Sequence, residues 1–350
     1  MNWEEYVRRV TPYVPGEQPK DPDVIKLNTN ENPYPPCPAV WNVIRDFNAG
    51  VLRRYPDPEV SILTDALAEY YNVRSDQVFV GVGSDDVLAM SFLTFFNSQK
   101  PVLFPDITYS FYPVWCELFG IPYECRPLDD NFKVKAEDYS GDNGGIVIAN
   151  PNAPTGIELP QSEIETIIKN NPDSVCIVDE AYADFGKESA LELVDKYSNL
   201  LVVRTFSKSR SLAGSRIGFA IGSRKLISYI RDVRFSFNSY TMDSVTQVIG
   251  AASLSDDDYF KSTIEKIVAT REQTAEQLRG LGFFVLPSAA NFLFVTHPTH
   301  PADELFAMLK EHNIFVRYFK SDRIDSYLRI TIGTDRQMEE LIRILGDYIQ

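Results

Sequence analysis

The chain has 350 residues, of which 44% are hydrophobic and 24% are charged, a composition typical of a folded protein with about two domains. No apolar run approaches the roughly 18 residues that cross a bilayer, and the N-terminus lacks a signal-peptide pattern, so we expect a soluble, cytoplasmic protein without membrane partners. The 34 Lys and Arg residues against 49 Asp and Glu residues give a net charge of −15, which disfavours a nucleic-acid partner.

The cysteine and histidine residues do not form a metal-binding pattern. The 4 Cys residues include no C-x-x-C pair, and the 3 His residues all lie near the C-terminus. We therefore expect neither a metal site nor a histidine general base.

Short apolar runs alternate with longer amphipathic segments through most of the chain, which predicts an α/β fold with a mostly parallel sheet. Residues 1–30 are predicted to form an extended N-terminal arm, and residues 31–255 a large domain. The predicted strands of this domain are Val78–Val82, Val102–Phe104, Gly145–Ala149, Val175–Val178, Leu200–Thr205 and Gly218–Ile221. Its predicted helices are Ser61–Tyr71, Asp85–Phe96, Tyr109–Phe119 and Gln161–Lys169.

Residues 256–350 are predicted to form a second, small α+β domain. A helical region from Met242 to Arg279, interrupted near Ser255–Asp258, leads into it. The pattern then predicts strands over Phe283–Leu286, Asn291–Val295, Ile314–Tyr318 and Tyr327–Ile332. It also predicts helices over Ala302–His312 and Arg336–Ile349.

Lys208 follows a strand of buried type, and Arg216 comes shortly after it. An amine that is desolvated beside other cations has a lowered pKa and can form a Schiff base, while Ser207 and Arg216 could hold the phosphate of a cofactor. Composition alone favours an ordinary solvated lysine in a serine-rich turn, so the interpretation of Lys208 depends on its context.

Asp179 stands at the end of the preceding apolar strand, where the ligands of open α/β sheets gather. A carboxylate in that position needs a cation, and the protonated ring nitrogen of pyridoxal phosphate would supply one. Tyr182 could donate a hydrogen bond to the ring oxygen of that cofactor, although a packing role explains a lone tyrosine more simply.

The segment from Gly81 to Asp86 ends a strand at glycine residues and opens a helix, which leaves backbone N–H groups free to bind an anion. Ser84 or Asp85 acting as simple helix N-caps would explain the same segment. Tyr109 follows the next strand and is placed to stack on a planar heterocycle, with core packing as the alternative.

The chain resembles the fold-type I pyridoxal-phosphate aminotransferases over nearly its full length, through an ordered set of motifs. These are Gly83-Ser84-Asp85, Tyr109, Asn150-Pro151-Asn152-Ala153-Pro154-Thr155-Gly156, Asp179-Glu180-Ala181-Tyr182, Ser207-Lys208 and Arg216. Two further segments are similar to the histidinol-phosphate aminotransferases, Leu27-Asn28-Thr29-Asn30-Glu31-Asn32-Pro33-Tyr34 and Arg54-Tyr55-Pro56-Asp57. The resemblance implies a large domain with a mostly parallel sheet of seven-stranded type and a small α+β domain.

The resemblance also implies pyridoxal 5'-phosphate as the cofactor. Lys208 would join it through an imine, Asp179 would pair with its pyridine nitrogen, and Tyr182 would contact its ring oxygen. The other cofactor contacts would come from Gly83, Ser84, Asp85, Tyr109, Asn152, Ser207 and Arg216. Substrate contacts would come from Arg329, Arg317, Asn32 and Tyr13.

Two features of the resemblance concern the loop before Pro154 and the quaternary structure. The family commonly has Asn immediately before Pro-Thr-Gly, but this chain has Ala153 there. Either Asn152 replaces it after a loop rearrangement, or Tyr182 alone contacts the ring oxygen. Tyr55 would reach the cofactor phosphate of a neighbouring subunit, which implies a homodimer.

The implied reaction transfers an amino group from a small amine to a 2-oxo acid. The preferred substrates are histidinol phosphate and 2-oxoglutarate, with an aromatic amino-acid aminotransferase or a threonine-phosphate decarboxylase as alternatives. A non-catalytic module that senses the cofactor is disfavoured, because the chain is acidic and has no basic DNA-binding extension.

Overall fold

A computed structural model describes residues 2–21 and 23–349. Met1 and Pro22, both in the predicted N-terminal arm, and Gln350, in the predicted small domain, lie outside the described residues. Among the described residues, no helix has both the length and the apolar character that a membrane span requires.

The strands and helices follow each other in the alternation expected from the sequence. The strands are β1 Ile25–Lys26, β2 Val78–Gly81, β3 Val102–Pro105, β4 Tyr123–Arg126, β5 Gly145–Ala149, β6 Cys176–Asp179, β7 Leu200–Thr205, β8 Gly218–Gly222, β9 Phe284–Val285, β10 Phe292–Thr296, β11 Ile314–Phe315, β12 Arg317–Tyr318 and β13 Leu328–Thr331. The helices are α1 Pro38–Asp46, α2 Ser61–Tyr71, α3 Ser84–Phe95, α4 Phe111–Phe119, α5 Gln161–Asn170, α6 Arg224–Phe237, α7 Ser244–Leu254, α8 Asp257–Gly280, α9 Ala302–Glu311 and α10 Asp335–Ile349.

The large sheet has the strand order β2-β8-β7-β6-β5-β3-β4. Strands β3 to β7 pair in parallel, whereas β8 is antiparallel to both of its neighbours. The predicted α/β class with a mostly parallel seven-stranded sheet is therefore confirmed.

Helices cover both faces of the large sheet. Successive residues of β7 point to opposite faces, so Val202 packs in a cluster with Leu63 of α2, and Val203 packs in a cluster with Phe92 of α3. Burial on both faces explains why these strands read as unbroken apolar runs.

Helices α1 and α6 and strand β4 were not predicted from the sequence. Strand β4 lies at the edge of the sheet and leaves Tyr123, Glu124 and Cys125 exposed, so it lacks the apolar run of a central strand. Helix α6 buries Leu226, Ile227 and Ile230 on one face, but basic residues directly before and after these positions mask its apolar pattern.

The C-terminal part of the chain has an antiparallel sheet in the order β12-β13-β10-β9. Helices α8, α9 and α10 contribute Ile267, Leu309 and Leu341 to the apolar cluster of this part, and the predicted small α+β unit is confirmed. The single strand predicted over Ile314–Tyr318 is divided at Val316, because β11 pairs with β1 whereas β12 pairs with β13.

The N-terminal arm contacts both parts of the molecule. Strand β1 pairs in parallel with β11, and Leu27 lies in the apolar cluster of the small unit. Arg8 donates a hydrogen bond to the carbonyl oxygen of Leu118 (2.8 Å), and Tyr13 stacks on Phe111 with ring centres 4.2 Å apart. The predicted division between residues 255 and 256 falls between α7 and α8, and it remains a prediction.

Candidate active site

A cavity of about 350 Å³ lies at the carboxyl ends of β6 and β7, beside the first turn of α3. Asp179 ends β6, Lys208 follows β7 and Ser84 begins α3, so segments distant in sequence meet at this edge of the sheet. The cavity brings together eight residues predicted from the sequence, namely Ser84, Asp85, Tyr109, Asp179, Tyr182, Ser207, Lys208 and Arg216.

Lys208 provides a partly buried amine in the cavity wall. Its Nζ donates a hydrogen bond to the backbone carbonyl oxygen of Thr29 at 3.1 Å. Burial lowers the pKa of Lys208 to about 8, and the positive charge of Arg329 acts in the same direction. A fraction of the molecules therefore carries the neutral amine near neutral pH, which is the form that attacks a carbonyl carbon.

Asp179 is a buried carboxyl group, only 5% exposed. Its Oδ2 accepts a hydrogen bond from the Tyr112 hydroxyl at 2.8 Å, and its Oδ1 accepts one from the Ala181 N–H at 3.3 Å. Burial raises the pKa of Asp179 to about 6, although the hydrogen bond from Tyr112 acts in the opposite direction. Both of these donors are uncharged, so the position suits a ligand that carries a positive charge.

Tyr182 packs beside Lys208, whose Nζ lies 5.8 Å from the centre of the ring. Its hydroxyl accepts a hydrogen bond from Asn30 Nδ2 at 2.9 Å, and the ring meets Phe292 edge-on at 5.1 Å. Burial raises the pKa of Tyr182, so the hydroxyl keeps its hydrogen at neutral pH and can donate it.

The start of α3 forms a corner suited to an anion. Gly83, which precedes it, has a φ of +89°, and a Cβ there would lie 2.6 Å from the Arg216 guanidinium. Arg216 Nη2 donates to Asp85 Oδ2 at 3.2 Å, and Ser207 lies in the same cavity wall. Free N–H groups of the first helical turn, a serine hydroxyl and a guanidinium are the groups that bind a phosphate.

Tyr109 forms another wall of the cavity. Its hydroxyl donates a hydrogen bond to Asp85 Oδ1 at 2.7 Å, and its ring meets Tyr112 edge-on with centres 5.7 Å apart. These contacts fix the ring beside the cavity that it lines, and an aromatic ring there suits a flat ligand.

Asn152 does not face the cavity. Its Oδ1 accepts a hydrogen bond from the Thr108 hydroxyl (2.8 Å), and its Nδ2 donates to the Ile107 carbonyl (2.9 Å) and the Thr155 hydroxyl (3.0 Å). Ala153 lines the cavity instead. These hydrogen bonds engage both ends of the Asn152 amide, with Ile107 and Thr108 after β3 and with Thr155 in its own loop, so the structure does not support the alternative in which Asn152 replaces the family's Asn.

Arg329 and Arg317 lie opposite each other on the adjacent strands β13 and β12. Arg329 Nη2 donates to the Asn28 carbonyl oxygen at 3.1 Å, and its buried Nε has no hydrogen-bond partner among the described residues. Burial lowers the pKa of Arg329, and the charge of Arg317 adds to this effect. Two neighbouring cations with an unsatisfied donor suit an anionic group of a substrate.

Asn32 makes contacts other than those expected from the sequence. Its Nδ2 donates hydrogen bonds to the backbone carbonyl oxygens of Lys208 and Ser209, both at 3.1 Å, and its Oδ1 accepts one from the Tyr34 N–H at 3.0 Å. Because both ends of the amide are occupied, Asn32 fixes the backbone at Lys208 instead of presenting a free group to a substrate.

Tyr13 and Tyr55 do not line the cavity of the single chain. Tyr13 stacks on Phe111 in α4, whereas Tyr55 is 82% exposed and stacks on Tyr240 with ring centres 4.7 Å apart. The contact of Tyr55 across a subunit interface stays a prediction.

Tyr112, which contacts Asp179, and Asn30, which contacts Tyr182, were not among the residues predicted from the sequence. Tyr112 lies three residues after Tyr109 in an apolar helix, and a tyrosine buried in such a helix requires a partner for its hydroxyl group. That requirement was the available signal for Tyr112. Asn30 lies 152 residues from Tyr182, and no local pattern connects the two positions.

A family model described as class I and II aminotransferases matches residues 22–345. The chain belongs to the class I and II aminotransferase family. The histidinol-phosphate aminotransferase of Lactococcus lactis subsp. cremoris (strain SK11) is 53% identical over 350 residues, covering 100% of this chain and 98% of the relative. The enzyme of the same name from Pseudomonas syringae pv. syringae (strain B728a) is 52% identical over 345 residues, covering 99% of each chain.

This aminotransferase also has a solved structural relative. The crystal structure of histidinol-phosphate aminotransferase from Sinorhizobium meliloti, in complex with pyridoxal-5'-phosphate, superposes with a TM-score of 0.86 at 25% identity. The superposition covers 93% of this chain and 90% of that chain. The predicted family and fold type are therefore confirmed.

Proposed function

We propose that this aminotransferase converts L-histidinol phosphate and 2-oxoglutarate into imidazole-acetol phosphate and L-glutamate, with pyridoxal 5'-phosphate bound in the cavity. The observation that carries the proposal is that a low-pKa amine, Lys208, and a buried acid, Asp179, line one cavity at the ends of adjacent strands. The relatives that are 52–53% identical over the whole chain support histidinol phosphate as the amine.

The chemical groups of the cavity residues fit pyridoxal phosphate. Asp179 offers a buried carboxyl group to the ring nitrogen, Tyr182 offers a hydroxyl to the ring oxygen, and Tyr109 offers a flat ring. Ser84, at the start of α3, and Arg216, just before β8, suit the phosphate. When bound, this cofactor supplies an aldehyde for exchange of amines and a protonated ring that accepts electrons from the substrate carbon.

The protein's own part in the reaction centres on the Nζ atom of Lys208. We infer that this amine would hold the cofactor at rest and, when it is free, would accept at Nζ the proton that leaves the substrate carbon. A pKa near 8 suits both tasks, because the amine gains and loses a proton easily at neutral pH. Asn32 supports this by fixing the backbone at Lys208.

The two substrates share an anionic end, although one is a phosphate ester and the other a dicarboxylate. Arg329 and Arg317 are proposed to bind that end in both half-reactions, because a guanidinium pairs with phosphate and carboxylate groups alike. The unsatisfied Nε of Arg329 supports this assignment. Tyr13 belongs to the N-terminal arm and stacks on Phe111 at the start of α4, and it is proposed to border the same substrate site.

We further propose a cytoplasmic homodimer. The four cysteines are free thiols and three of them are buried, which is compatible with a reducing compartment. The exposed ring of Tyr55 supports a contact with a second copy of the chain, in which it would reach the neighbouring cofactor phosphate.

The test is a comparison of amine donors with the purified, cofactor-loaded protein and 2-oxoglutarate. Among the amine donors, histidinol phosphate should give the highest kcat/KM for glutamate formation, and the rates should follow ping-pong kinetics. Lys208→Ala should lower kcat by at least about 1,000-fold, because it removes both the attachment point and the proton carrier. Lys225→Ala, an exposed lysine on α6, is the matched control and should retain the parent rate.

Two outcomes would indicate a different activity from the one proposed. A higher kcat/KM with phenylalanine or tyrosine would indicate an aromatic amino-acid aminotransferase, and release of carbon dioxide from threonine phosphate would indicate a decarboxylase. Full activity of Lys208→Ala would contradict the mechanism for any of these substrates.

A further inference from the structure

Asn30 connects the small sheet to the hydroxyl group of Tyr182. It is 1% exposed and has a φ of +55°, in the left-handed region that asparagine tolerates better than most residues. Its Nδ2 donates to the Tyr182 hydroxyl at 2.9 Å, and its Oδ1 accepts from the Thr331 hydroxyl at 3.0 Å. Its backbone carbonyl accepts a hydrogen bond from Asn291 Nδ2 at 3.0 Å.

The hydrogen bonds of Thr331 determine which way the Asn30 amide faces. The Thr331 hydroxyl oxygen already accepts the backbone N–H of Asn30 at 3.0 Å, and its own hydrogen is donated to Asn30 Oδ1. The reversed amide would leave the hydroxyl hydrogen of Thr331, a residue only 2% exposed, without an acceptor. The Nδ2 group of Asn30 therefore faces Tyr182.

A hydroxyl that accepts a hydrogen bond from Asn30 must direct its own hydrogen elsewhere. Tyr182 lines the cavity, so the cavity is the direction available to that hydrogen. Ala153, in the same wall, has no polar side-chain atom, and the side chain of Asn152 is engaged by Ile107 and Thr155. Whether this wall of the cavity donates a hydrogen bond therefore depends on the orientation of the Tyr182 hydroxyl group.

We propose that Asn30 and Thr331 are positioning residues that hold the Tyr182 hydroxyl as a hydrogen-bond donor toward the ring oxygen of the cofactor. This rests on the proposal that the cavity holds pyridoxal phosphate. A donor at that oxygen stabilises its negatively charged form, so it strengthens cofactor binding and lowers the pH at which the bound cofactor loses its proton.

The experiment uses the full chain without any substrate. Asn30→Ala, Thr331→Val, Thr331→Ser and Tyr182→Phe are compared with the parent in two measurements, the dissociation constant of pyridoxal phosphate and the pH midpoint of the visible absorption band of the loaded protein. Asn30→Ala and Thr331→Val should each weaken binding about tenfold and raise the midpoint by about one pH unit. Thr331→Ser keeps the hydroxyl and should stay within about twofold of the parent.

A double-mutant cycle separates this role from a structural one. Asn30→Ala should change neither quantity further in the Tyr182→Phe background, because no hydroxyl remains to be oriented. Equal effects in both backgrounds, or an unchanged midpoint in Asn30→Ala and Thr331→Val, would overturn the proposal. If Asn30→Ala does not fold, the pair Thr331→Val and Thr331→Ser decides alone. Failure of the parent to bind pyridoxal phosphate would instead reject the proposed function, and failure to use histidinol phosphate would affect neither measurement.

Discussion

Burial shifts the pKa values of Asp179 and Lys208 toward each other. It raises the first to about 6 and lowers the second to about 8, because a charge in a poorly hydrated site is disfavoured whatever its sign. A ligand with a positive ring nitrogen and an aldehyde would favour the charged acid and the neutral amine. The folded protein is therefore less stable with an empty cavity than with such a ligand bound.

Replacement of Asp179 by Asn tests how much stability the cofactor-free protein loses by burying a charged carboxylate. The buried carboxyl group stabilises the fold while it is protonated, and this contribution is lost as the pH rises from its unfolded value of 3.8 through about 6. Relative to the parent, the free energy of unfolding of Asp179→Asn should therefore increase by about 2–3 kcal/mol between about pH 4 and about pH 8.

Urea denaturation at both pH values measures this difference. Asp232→Asn, an exposed acidic residue on α6, is the control and should show no such increase. A stability difference for Asp179→Asn that does not depend on pH would contradict the expectation. The same variant should bind pyridoxal phosphate more weakly, because it lacks the charge that pairs with the ring nitrogen.

At the scale of the elements, the cavity depends on a close approach of β8 to the start of α3. Gly218 makes this approach possible, since a Cβ at that position would lie 2.2 Å from both the Gly83 carbonyl carbon and the Ser84 nitrogen. These are backbone atoms of the anion-binding corner, so they cannot move aside without changing it.

Gly218→Ala should consequently lower the free energy of unfolding by about 1–3 kcal/mol and weaken pyridoxal phosphate binding at the same time. Gly280→Ala, at the end of α8, is the matched control, because a Cβ there meets no atom within 4 Å. Denaturant unfolding and cofactor titration measure both effects. Equal stability and affinity in the two variants would show that β8 does not set the geometry of the corner.

The elements that were predicted well are those whose burial follows a regular period. Helix α2 and strands β5 and β7 have the predicted bounds, because their apolar residues face a core along their whole length. Strand β4, at the sheet edge, has no such pattern. The division of the strand predicted over Ile314–Tyr318 depends on its two different partners, which its sequence does not specify.

At the scale of the whole molecule, the proposed homodimer makes each active site depend on two chains. Tyr55 and Lys208 of one site would then come from different subunits. Subunits that lack one of these residues should complement subunits that lack the other, because a mixed dimer contains one site with both residues intact.

Co-expression of Tyr55→Ala and Lys208→Ala chains should therefore restore about a quarter of the parent activity, since about half of the dimers are mixed and each has one intact site. Each variant alone should show far less activity, and a mixture of separately purified variants should recover only as their subunits exchange. Recovery no greater than the sum of the two variants would reject the shared site, and sedimentation would show whether the dimer itself persists.

The sequence by itself determined the fold class and the chemical groups at the strand ends, because apolar periodicity and turn residues are local properties. Lys208, Asp179, Tyr182 and Arg216 stood out at or near strand ends, the resemblance to the aminotransferases implied their roles, and the structure places them around one cavity. Their position at one edge follows from the parallel arrangement of the central strands.

Only the tertiary structure decided how these groups are held. The contacts of Tyr112 with Asp179 and of Asn30 with Tyr182 join residues 67 and 152 positions apart, and the direction of the Asn152 side chain depends on three neighbours in its fold. Hydrogen bonds require a donor and an acceptor within a few tenths of an ångström of a fixed distance. That precision arises from the packing of distant segments, which no local pattern in the sequence records.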